Sequence, residues 1–266
     1  MRNRRPGGDR RRALGVLPAL AAAAAVLVSG CEMPEGSLDN SPSDHAGSPT
    51  GPAAAAGRAV SPLDNPDGTK PGLAVVSSDA DRAKARDLIE KVTVKGRGPK
   101  TGYDRDEFGE AWLDTADVPF SRNGCDTRND LLKRDGDEVK FRSGSNCVVV
   151  EMTLADPYTG KEIDWAKADA AEVQIDHVMA LSYDWQMGAS RWSKDKRKAI
   201  ANDPLNLLPV DGPTNSSKGD SGPAAWVPPN KQIRCAYAVR FAQVSLKYEL
   251  PVTKADKAAM LKQCGG

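Results

Sequence analysis

A change in sequence pattern near residue 78 limits how much of this chain can fold. Residues 31–78 are rich in Pro, Gly, Ser, Asp and Ala and show almost no aliphatic periodicity. Such a composition cannot bury enough apolar surface to offset the chain entropy lost on folding, so we expect a disordered linker. Residues 79–266 carry periodic apolar positions, and their number is sufficient for one sizeable hydrophobic core. The sequence therefore predicts a single folded domain over residues 79–266.

The first thirty residues are typical of an export signal. Residues 2–12 contain six Arg, and the uncharged apolar run from Ala13 to Val28 follows. A run of about sixteen residues suits a signal peptide better than a membrane-spanning helix, which needs about twenty. The run ends in Val28-Ser29-Gly30-Cys31, which resembles a bacterial lipobox in which Cys31 is lipidated after cleavage of residues 1–30. An ordinary secretory signal is the alternative. Both predict an exported protein, either lipid-anchored at the cell membrane or extracellular.

The net charge of the chain conceals an uneven distribution. The formal value is +1, but residues 79–266 contain 29 Lys and Arg against 29 Asp and Glu. A balanced domain does not indicate broad, nonspecific binding to nucleic acid, so any contact with a polyanion should be concentrated at a small site. Hydrophobic residues make up 39% of the chain and charged residues 27%, which excludes a multi-span membrane protein and a fully disordered one.

Apolar periodicity and turn signals predict a mixed α+β domain. Ser78 is suited to cap a helix whose apolar side carries Leu88, Ile89 and Val92. The Val148-Val149-Val150 run favours a strand. Further helices are predicted near residues 104–113, 125–134, 180–186, 193–201, 213–218, 231–248 and 254–263, and strands near 138–142, 147–154, 161–165, 172–176 and after Asn206.

Four cysteines remain in the predicted domain when Cys31 is set aside. An even number in an exported protein favours disulfides, and three pairings are possible. We favour Cys125–Cys147 and Cys235–Cys264, because each bond closes a loop within its own half of the domain. A zinc site is the alternative, but the chain offers no Cys-x-x-Cys pair and no nearby His to support it.

A few polar residues stand out as candidates for chemistry. His177 is the only histidine in residues 79–266, and it ends a predicted strand directly after Asp176. Asn206 precedes a second predicted strand, and Asn215 and Lys218 lie one turn apart on a short predicted helix. Taken singly, each residue has a purely structural explanation, such as a helix cap, a turn residue or a surface ion pair.

Taken in order, Asp176-His177, Asn206-Leu207 and Asn215-Ser216-Ser217-Lys218 resemble the HNH (His-Me finger) nucleases. More narrowly, they are similar to the DUF1524 branch, related to the C-terminal domain of GmrSD-type restriction enzymes. Residues 124–130 and 155–160 also resemble exported actinobacterial members, so the resemblance covers residues 102–264. It implies a ββα-metal core within a disulfide-stapled α+β domain of a small antiparallel sheet and surrounding helices. It also implies an endonuclease that hydrolyses phosphodiester bonds, with DNA expected as the substrate and RNA as the alternative.

The resemblance implies a role for each residue of the set. His177 would be the general base that activates water, and Asp176 and Asn215 would bind one divalent metal ion. Asn215 stands where the name-giving pattern has a histidine, and the resulting pair of hard oxygen ligands suits Mg²⁺ or Mn²⁺ better than zinc. Asn206 would brace the loop and orient the histidine. Lys218 would bind a substrate phosphate as a point charge.

Two other regions are candidates for contact with nucleic acid. Residues 191–198 contain five cations, including Arg191, although a solvated helix face would explain them equally well. The resemblance suggests that Arg128, Asp126 and Arg105 line the same cleft, provided that the segment around Cys125 packs near the sheet.

Two alternative functions belong to different classes. One is a non-catalytic, lipid-anchored surface module that binds nucleic acid on the same fold, and it is compatible with the departure at Asn215. The other is a metal-binding lipoprotein without nuclease activity, which a single histidine and two disulfides make a weaker hypothesis. The sequence implies a nucleic-acid substrate and a membrane contact through Cys31, and no protein partner.

Overall fold

The structure is a computed structural model, and it describes residues 58–265. The predicted signal peptide of residues 1–30, the predicted lipidation site Cys31 and the first part of the predicted linker, residues 31–57, lie outside the described residues. Every helix within residues 58–265 is too short or too polar to span a membrane.

The described residues form an α+β domain, which confirms the predicted fold class. Its seven α-helices and five strands, all within residues 58–265, follow in chain order. They are α1 (Asp79–Glu90), α2 (Thr127–Asp135), β1 (Gly136–Phe141), β2 (Val149–Ala155), β3 (Glu162–Ala166), β4 (Val173–His177), α3 (Leu181–Met187), α4 (Lys194–Asn202), β5 (Leu207–Asp211), α5 (Gly212–Lys218), α6 (Arg234–Tyr248) and α7 (Lys254–Gln263).

The strands form two small antiparallel sheets. β1, β2 and β3 make a three-stranded sheet in that order, and β4 pairs with β5 in a separate two-stranded sheet. In the β4–β5 pair, Asp176 lies opposite Leu208 and His177 opposite Leu207. Helix α5 begins directly after β5 and packs against both strands. Two strands and a helix therefore form one compact unit, with α3 and α4 inserted between the strands.

Two hydrophobic cores hold the domain together. The larger lies among α1, α3, α4, α6 and α7, and nearly every residue of α6 is buried in it. The smaller lies between α2 and the two sheets, around Leu131, Trp165 and Val173. The strand pair β4–β5 contributes to both cores, with Ile175 in the smaller and Leu208 in the larger. The two cores therefore hold β4, which ends in Asp176 and His177, from both sides.

The predicted cap at Ser78 and both predicted disulfides are present. The Ser78 hydroxyl accepts a hydrogen bond from the backbone N–H of Asp81 at 3.0 Å, so α1 begins where the sequence predicted. Disulfides join Cys125 to Cys147 and Cys235 to Cys264, which confirms the favoured pairing. The zinc alternative is wrong, since all four sulfurs are engaged in these bonds.

The helix predicted near residues 104–113 is only a single 3-10 turn, from Arg105 to Phe108. Gly109 ends it with a φ of 88°, a conformation that glycine adopts without the steric cost borne by other residues. A side chain on Gly109 would also come too close to the side chain of Lys198 of α4, which is a second reason for a glycine at this point.

The predicted linker boundary at residue 78 is wrong, because residues 58–78 pack against the domain. Leu73 and Val76 are buried in the larger core, and the side chain of Gln243 donates a hydrogen bond to the carbonyl of Pro62 at 2.6 Å. Asn65 is fully buried and closes its own turn through two hydrogen bonds to the backbone of Lys70. The buried residues of this segment are scattered and do not form a periodic apolar face. Its sequence therefore shows no apolar periodicity and looks like that of a linker.

Candidate functional site

Three residues predicted to form the site line one cleft of about 390 Å³. Asp176 and His177 reach it from the end of β4, and Asn215 reaches it from the first turns of α5. The antiparallel pairing of β4 with β5 brings α5 back beside β4, so residues 38 or more positions apart share one wall.

His177 has one ring nitrogen fixed by the protein. Its Nε2 lies 2.9 Å from the carbonyl oxygen of Ala201, at the end of α4. A carbonyl oxygen can only accept, so this contact requires a proton on Nε2 and leaves Nδ1 with a free lone pair in the neutral ring. The ring of Trp112 stacks on the imidazole, with centroids 6.3 Å apart and planes 14° apart. Both contacts hold the orientation of the ring.

The surroundings of His177 keep its ring uncharged. The residue is only 7% exposed, and it forms part of the wall of the main cleft and of a smaller pocket of about 60 Å³ beside Trp112. Burial, followed by the positive charge of Arg105, lowers the pKa of His177 to about 3, although the hydrogen bond to Ala201 acts in the opposite direction. The imidazole is therefore neutral near pH 7 and able to accept a proton.

Asp176 is a buried carboxylate with two protein partners. Its Oδ2 accepts from the hydroxyl of Tyr158 at 2.5 Å, and its Oδ1 accepts from the ammonium of Lys218 at 2.8 Å. Burial raises the pKa of Asp176, while Lys218 and Tyr158 oppose that rise by favouring the charged form. Lys218 also donates to the backbone carbonyl of His177 at 2.7 Å, so it ties α5 to the end of β4.

The donor set of the cleft fits a weakly held, largely hydrated divalent ion. A carboxylate offers about four lone-pair sites, and Tyr158 and Lys218 use two of those on Asp176. The amide nitrogen of Asn215 donates to the Gln174 side chain at 2.9 Å, which leaves its oxygen as the group available to a cation. Mg²⁺ usually keeps several waters and takes one or two protein oxygens, which these residues can supply.

Other kinds of metal site find no support in residues 58–265. That part of the chain contains no group of three or more His, Cys, Asp or Glu side chains that could hold a metal ion. The ammonium of Lys218 beside Asp176 also weakens the attraction of that carboxylate for a metal ion, so an ion held there would be bound weakly.

Asn206 ties together the loop that follows β4. Its amide nitrogen donates to the carbonyls of Met179 and Ile200, and its oxygen accepts from the backbone N–H of Met179. The side chain is completely buried. Asn206 thus lies against the loop that it was predicted to brace, whereas the imidazole itself is held by Ala201.

Comparison with known proteins places these residues in a known family. Residues 126–263 match the model of the GmrSD restriction endonucleases, C-terminal domain. An uncharacterized secreted protein of Arthroderma benhamiae is 36% identical over 185 residues, which are 68% of this chain and 84% of that protein. No solved structure matches this chain.

The chain belongs to the GmrSD C-terminal domain family. The match includes all four predicted catalytic and metal-binding positions, namely Asp176, His177, Asn206 and Asn215. It excludes residues 97–112, which supply part of the cleft wall in this family member.

The residues predicted to bind substrate lie elsewhere than expected. In this GmrSD-type domain Lys218 has a fully buried side chain that is paired with Asp176, so the prediction of a free phosphate contact is wrong for this structure. Arg128 is half-buried, donates to the carbonyl of Val173 and lies over the ring of Trp165. Arg191 is exposed, and neither it nor Arg128 lines the main cleft or the small pocket beside Trp112.

The cation run of residues 191–198 is also used within the fold. Arg197 is buried and binds Glu107, while Lys196 lies over Trp192 and Lys198 pairs with Asp195. Of the residues that the resemblance suggested for the cleft, Arg105 does line it, whereas Asp126 caps α2.

Sequence reasoning missed several residues of the site. The sequence around Tyr158, Asp156-Pro157-Tyr158-Thr159-Gly160, indicates only a turn, yet the hydroxyl of Tyr158 is a partner of Asp176. Lys100, Tyr103 and Trp112 lie between α1 and α2, where the chain forms only the 3-10 turn Arg105–Phe108. The sequence of this segment has no apolar periodicity that would mark these residues. The similarity of residues 155–160 to relatives was a usable signal for Tyr158, since a simple turn does not require a tyrosine. No local pattern marked the others.

Proposed function

We propose that this protein is an exported, metal-dependent HNH-type endonuclease that hydrolyses phosphodiester bonds, with DNA as the first substrate to test. The observation that carries the proposal is the placement of His177: its Nε2 is held by the carbonyl of Ala201, and its ring lies on the wall of a cleft that also contains Asp176 and Asn215. Membership of a family named for restriction endonucleases supports the same chemistry.

His177 would act as the general base. Its Nδ1 accepts a proton from the attacking water, while Nε2–H stays bonded to Ala201 and stabilises the resulting imidazolium. Trp112 keeps the ring in place from one side, and Asn206 fixes the loop that begins after it. The low pKa keeps the ring in its basic form over the whole physiological range, although it also makes the base weak.

Asp176 and the amide oxygen of Asn215 would hold one Mg²⁺ or Mn²⁺. Such an ion, when bound, polarises the phosphate and stabilises the leaving oxygen. Lys218 and Tyr158 hold the carboxylate of Asp176 in place, and Gln174 does the same for the amide of Asn215. Each proposed ligand is therefore held by a neighbouring side chain, which is the usual role of the residues around a metal site.

Export of the protein fits the secreted relative and the predicted signal. The Arthroderma protein carries the name of a secreted protein, and two disulfides form in oxidising compartments rather than in the cytosol. We propose that a lipid on Cys31 retains the protein at the cell membrane, as the lipobox-like sequence predicts.

The test is cleavage of plasmid DNA and of RNA by the purified protein in Mg²⁺, in Mn²⁺ and in EDTA. We expect cleavage that EDTA abolishes and that His177→Ala reduces by about 10²–10⁴-fold, the usual contribution of a general base. The chain contains one other histidine, so His45→Ala is the matched control and should cleave like the wild type. Circular dichroism would show whether His177→Ala remains folded.

Two results would contradict the proposal. A folded His177→Ala variant with full activity would exclude the base, and cleavage in EDTA would exclude the metal. Tight nucleic-acid binding without cleavage under every metal condition would instead favour the non-catalytic binding module, for which the Asp176–Lys218 pair leaves room.

A further inference from the structure

One wall of the cleft is formed by a basic segment that precedes the family domain. This basic arm, residues 97–105, contains Arg97, Lys100 and Arg105, and it lies outside the residues 126–263 that match the family. Lys100, Tyr103 and Arg105 line the cleft together with the proposed catalytic residues. The arm therefore faces the position at which a substrate phosphate would be bound.

The arm is fixed to the helices beneath it. The backbone N–H of Gly98 donates to the carbonyl of Gln186, and the indole N–H of Trp185 donates to the carbonyl of Thr101. The ring of Tyr103 packs edge-on against Trp185 and Phe108. These contacts join the arm to α3, so the backbone that carries its cations is fixed beside the cleft.

The three cations differ in what they already bind. Arg97 donates to the backbone carbonyl of Asp220 and lies over the ring of Tyr183, and Lys100 forms an ion pair with the Asp220 carboxylate at 2.9 Å. Arg105 is exposed, and within residues 58–265 its side chain forms no hydrogen bond or ion pair. A free guanidinium at the wall of a cleft is well suited to a phosphate, which it can bind through two parallel N–H groups.

The acidic residues near Arg105 do not cancel its charge within the cleft. Asp104 caps the 3-10 turn, and Glu107 pairs with Arg197. Asp106 and Glu110 line the small pocket beside Trp112, whose wall Arg105 shares, and neither of them lines the main cleft. Of the two carboxylates that do line the main cleft, Asp176 is paired with Lys218 and Asp220 with Lys100.

We propose that the basic arm is the substrate-binding element of this protein, with Arg105 binding a backbone phosphate of the nucleic acid and Lys100 providing a second, exchangeable contact. This inference rests on the proposed nuclease function and adds the residues that recognise the substrate. It gives the role of substrate contact, which sequence reasoning assigned to Lys218, Arg128 and Arg191, to residues outside the matched family domain, among them Arg105, which the resemblance suggested only as a cleft residue. It also explains how a domain with balanced charge would attract a polyanion at one site only.

The test measures binding and cleavage separately. Binding of a fluorescein-labelled DNA oligonucleotide is followed by anisotropy in the inactive His177→Ala background, over a range of salt concentrations. We expect Arg105→Gln to weaken binding by about tenfold, because a charge-assisted hydrogen bond is lost. The slope of log K against log salt should fall by about one, as for one lost phosphate contact. Arg142→Gln, an exposed arginine after β1, is the matched control and should change neither quantity.

Cleavage assays then separate this inference from the proposed function. In active protein, Arg105→Gln should raise KM more than it lowers kcat, and Lys100→Gln should have a smaller effect in the same direction. If the wild type cleaves DNA and Arg105→Gln binds it as Arg142→Gln does, the inference is wrong and the nuclease remains. A reduced kcat with unchanged binding would also overturn it. If the wild type binds DNA through Arg105 without cleaving it, the nuclease function fails and the binding arm remains. If the wild type neither binds nor cleaves, both proposals fail.

Discussion

Replacing Lys218 with methionine should destabilise the folded domain by about 3–5 kcal/mol near neutral pH, since removing one partner of a buried ion pair leaves the other charge uncompensated. The side chain of Lys218 is 0% exposed and that of Asp176 is 5% exposed, so water can compensate only in part for the lost ammonium. Among the described residues 58–265, Tyr158 would remain as the only side chain bonded to the carboxylate.

The magnitude follows from two opposing contributions. At a separation of 2.8 Å and an effective dielectric constant of about 20, the attraction between the two charges is about 6 kcal/mol. Transfer of both ions out of water costs several kcal/mol, so the net value of the pair is much smaller than the attraction. Truncating Lys218 removes the attraction and leaves the desolvation cost of Asp176 in place.

The deficit should grow with pH. Burial already raises the pKa of Asp176, and the loss of Lys218 would raise it further, since Lys218 lowers it in the wild type. A carboxyl group with a higher pKa in the folded than in the unfolded state stabilises the protein when protonated, and that stabilisation is lost as the pH rises through the folded pKa. Lys218→Met should therefore be closer to the wild type at about pH 5 than at about pH 8.

The assay is urea unfolding in EDTA, followed by tryptophan fluorescence at both pH values. Lys161→Met, at an exposed position, serves as the matched control and should change the free energy of unfolding by less than about 0.5 kcal/mol. The double variant Asp176→Asn/Lys218→Met should recover part of the loss, because it no longer buries a charge. A loss below about 1 kcal/mol for Lys218→Met at pH 8 is typical of an exposed pair and would refute the reasoning.

Three further measurements test the fold. Val76→Ala should lower the free energy of unfolding by about 2 kcal/mol, since it removes two buried carbons and leaves a cavity. Val75→Ala, at a position that is 43% exposed, should lower it little. Equal effects of the two variants in urea unfolding would show that residues 58–78 do not pack against the domain. Burial raises the pKa of Asp184 well above its usual value, and its carboxylate has no hydrogen-bond partner within residues 58–265. The wild type should therefore lose stability relative to Asp184→Asn as the pH rises above about 4. A constant difference in unfolding free energy between about pH 5 and about pH 8 would contradict this. Replacing Cys235 and Cys264 together with Ala should lower stability by about 2–5 kcal/mol in thermal or urea unfolding, and an unchanged transition would show that the bond contributes nothing.

The sequence was a good guide to the local elements of the fold. The cap at Ser78, the strand run at Val148–Val150 and the short helix at residues 213–218 all rest on interactions within a few residues, and the structure contains each of these elements within a few positions. The cysteine pairing could also be predicted, because each disulfide closes a loop that is short compared with the domain. Residues 58–78 were misjudged because their stability comes from distant partners such as Gln243.

The candidate site also has features that could be predicted from the sequence and features that could not. The order Asp176-His177, Asn206, Asn215 was visible in the sequence, and the structure brings Asp176, His177 and Asn215 to one cleft. The pairing of Lys218 was not visible, because a lysine one turn after Asn215 can face either the substrate or the interior. Only the packing of α5 against β4 determines that it faces the interior.

The sequence by itself determined the fold class, the family and the residue types available for phosphodiester chemistry, since periodicity, caps and ordered motifs are properties of neighbouring positions. It favoured, without determining, the disulfide pairing that is present. Tertiary structure alone decided which nitrogen of His177 is free, which carboxylates are already paired, and that Arg105 rather than Lys218 presents an open cation to the cleft. Burial and charge pairing depend on which distant segments pack together, and here Ala201, Tyr158 and the basic arm reach β4 from three separate parts of the chain.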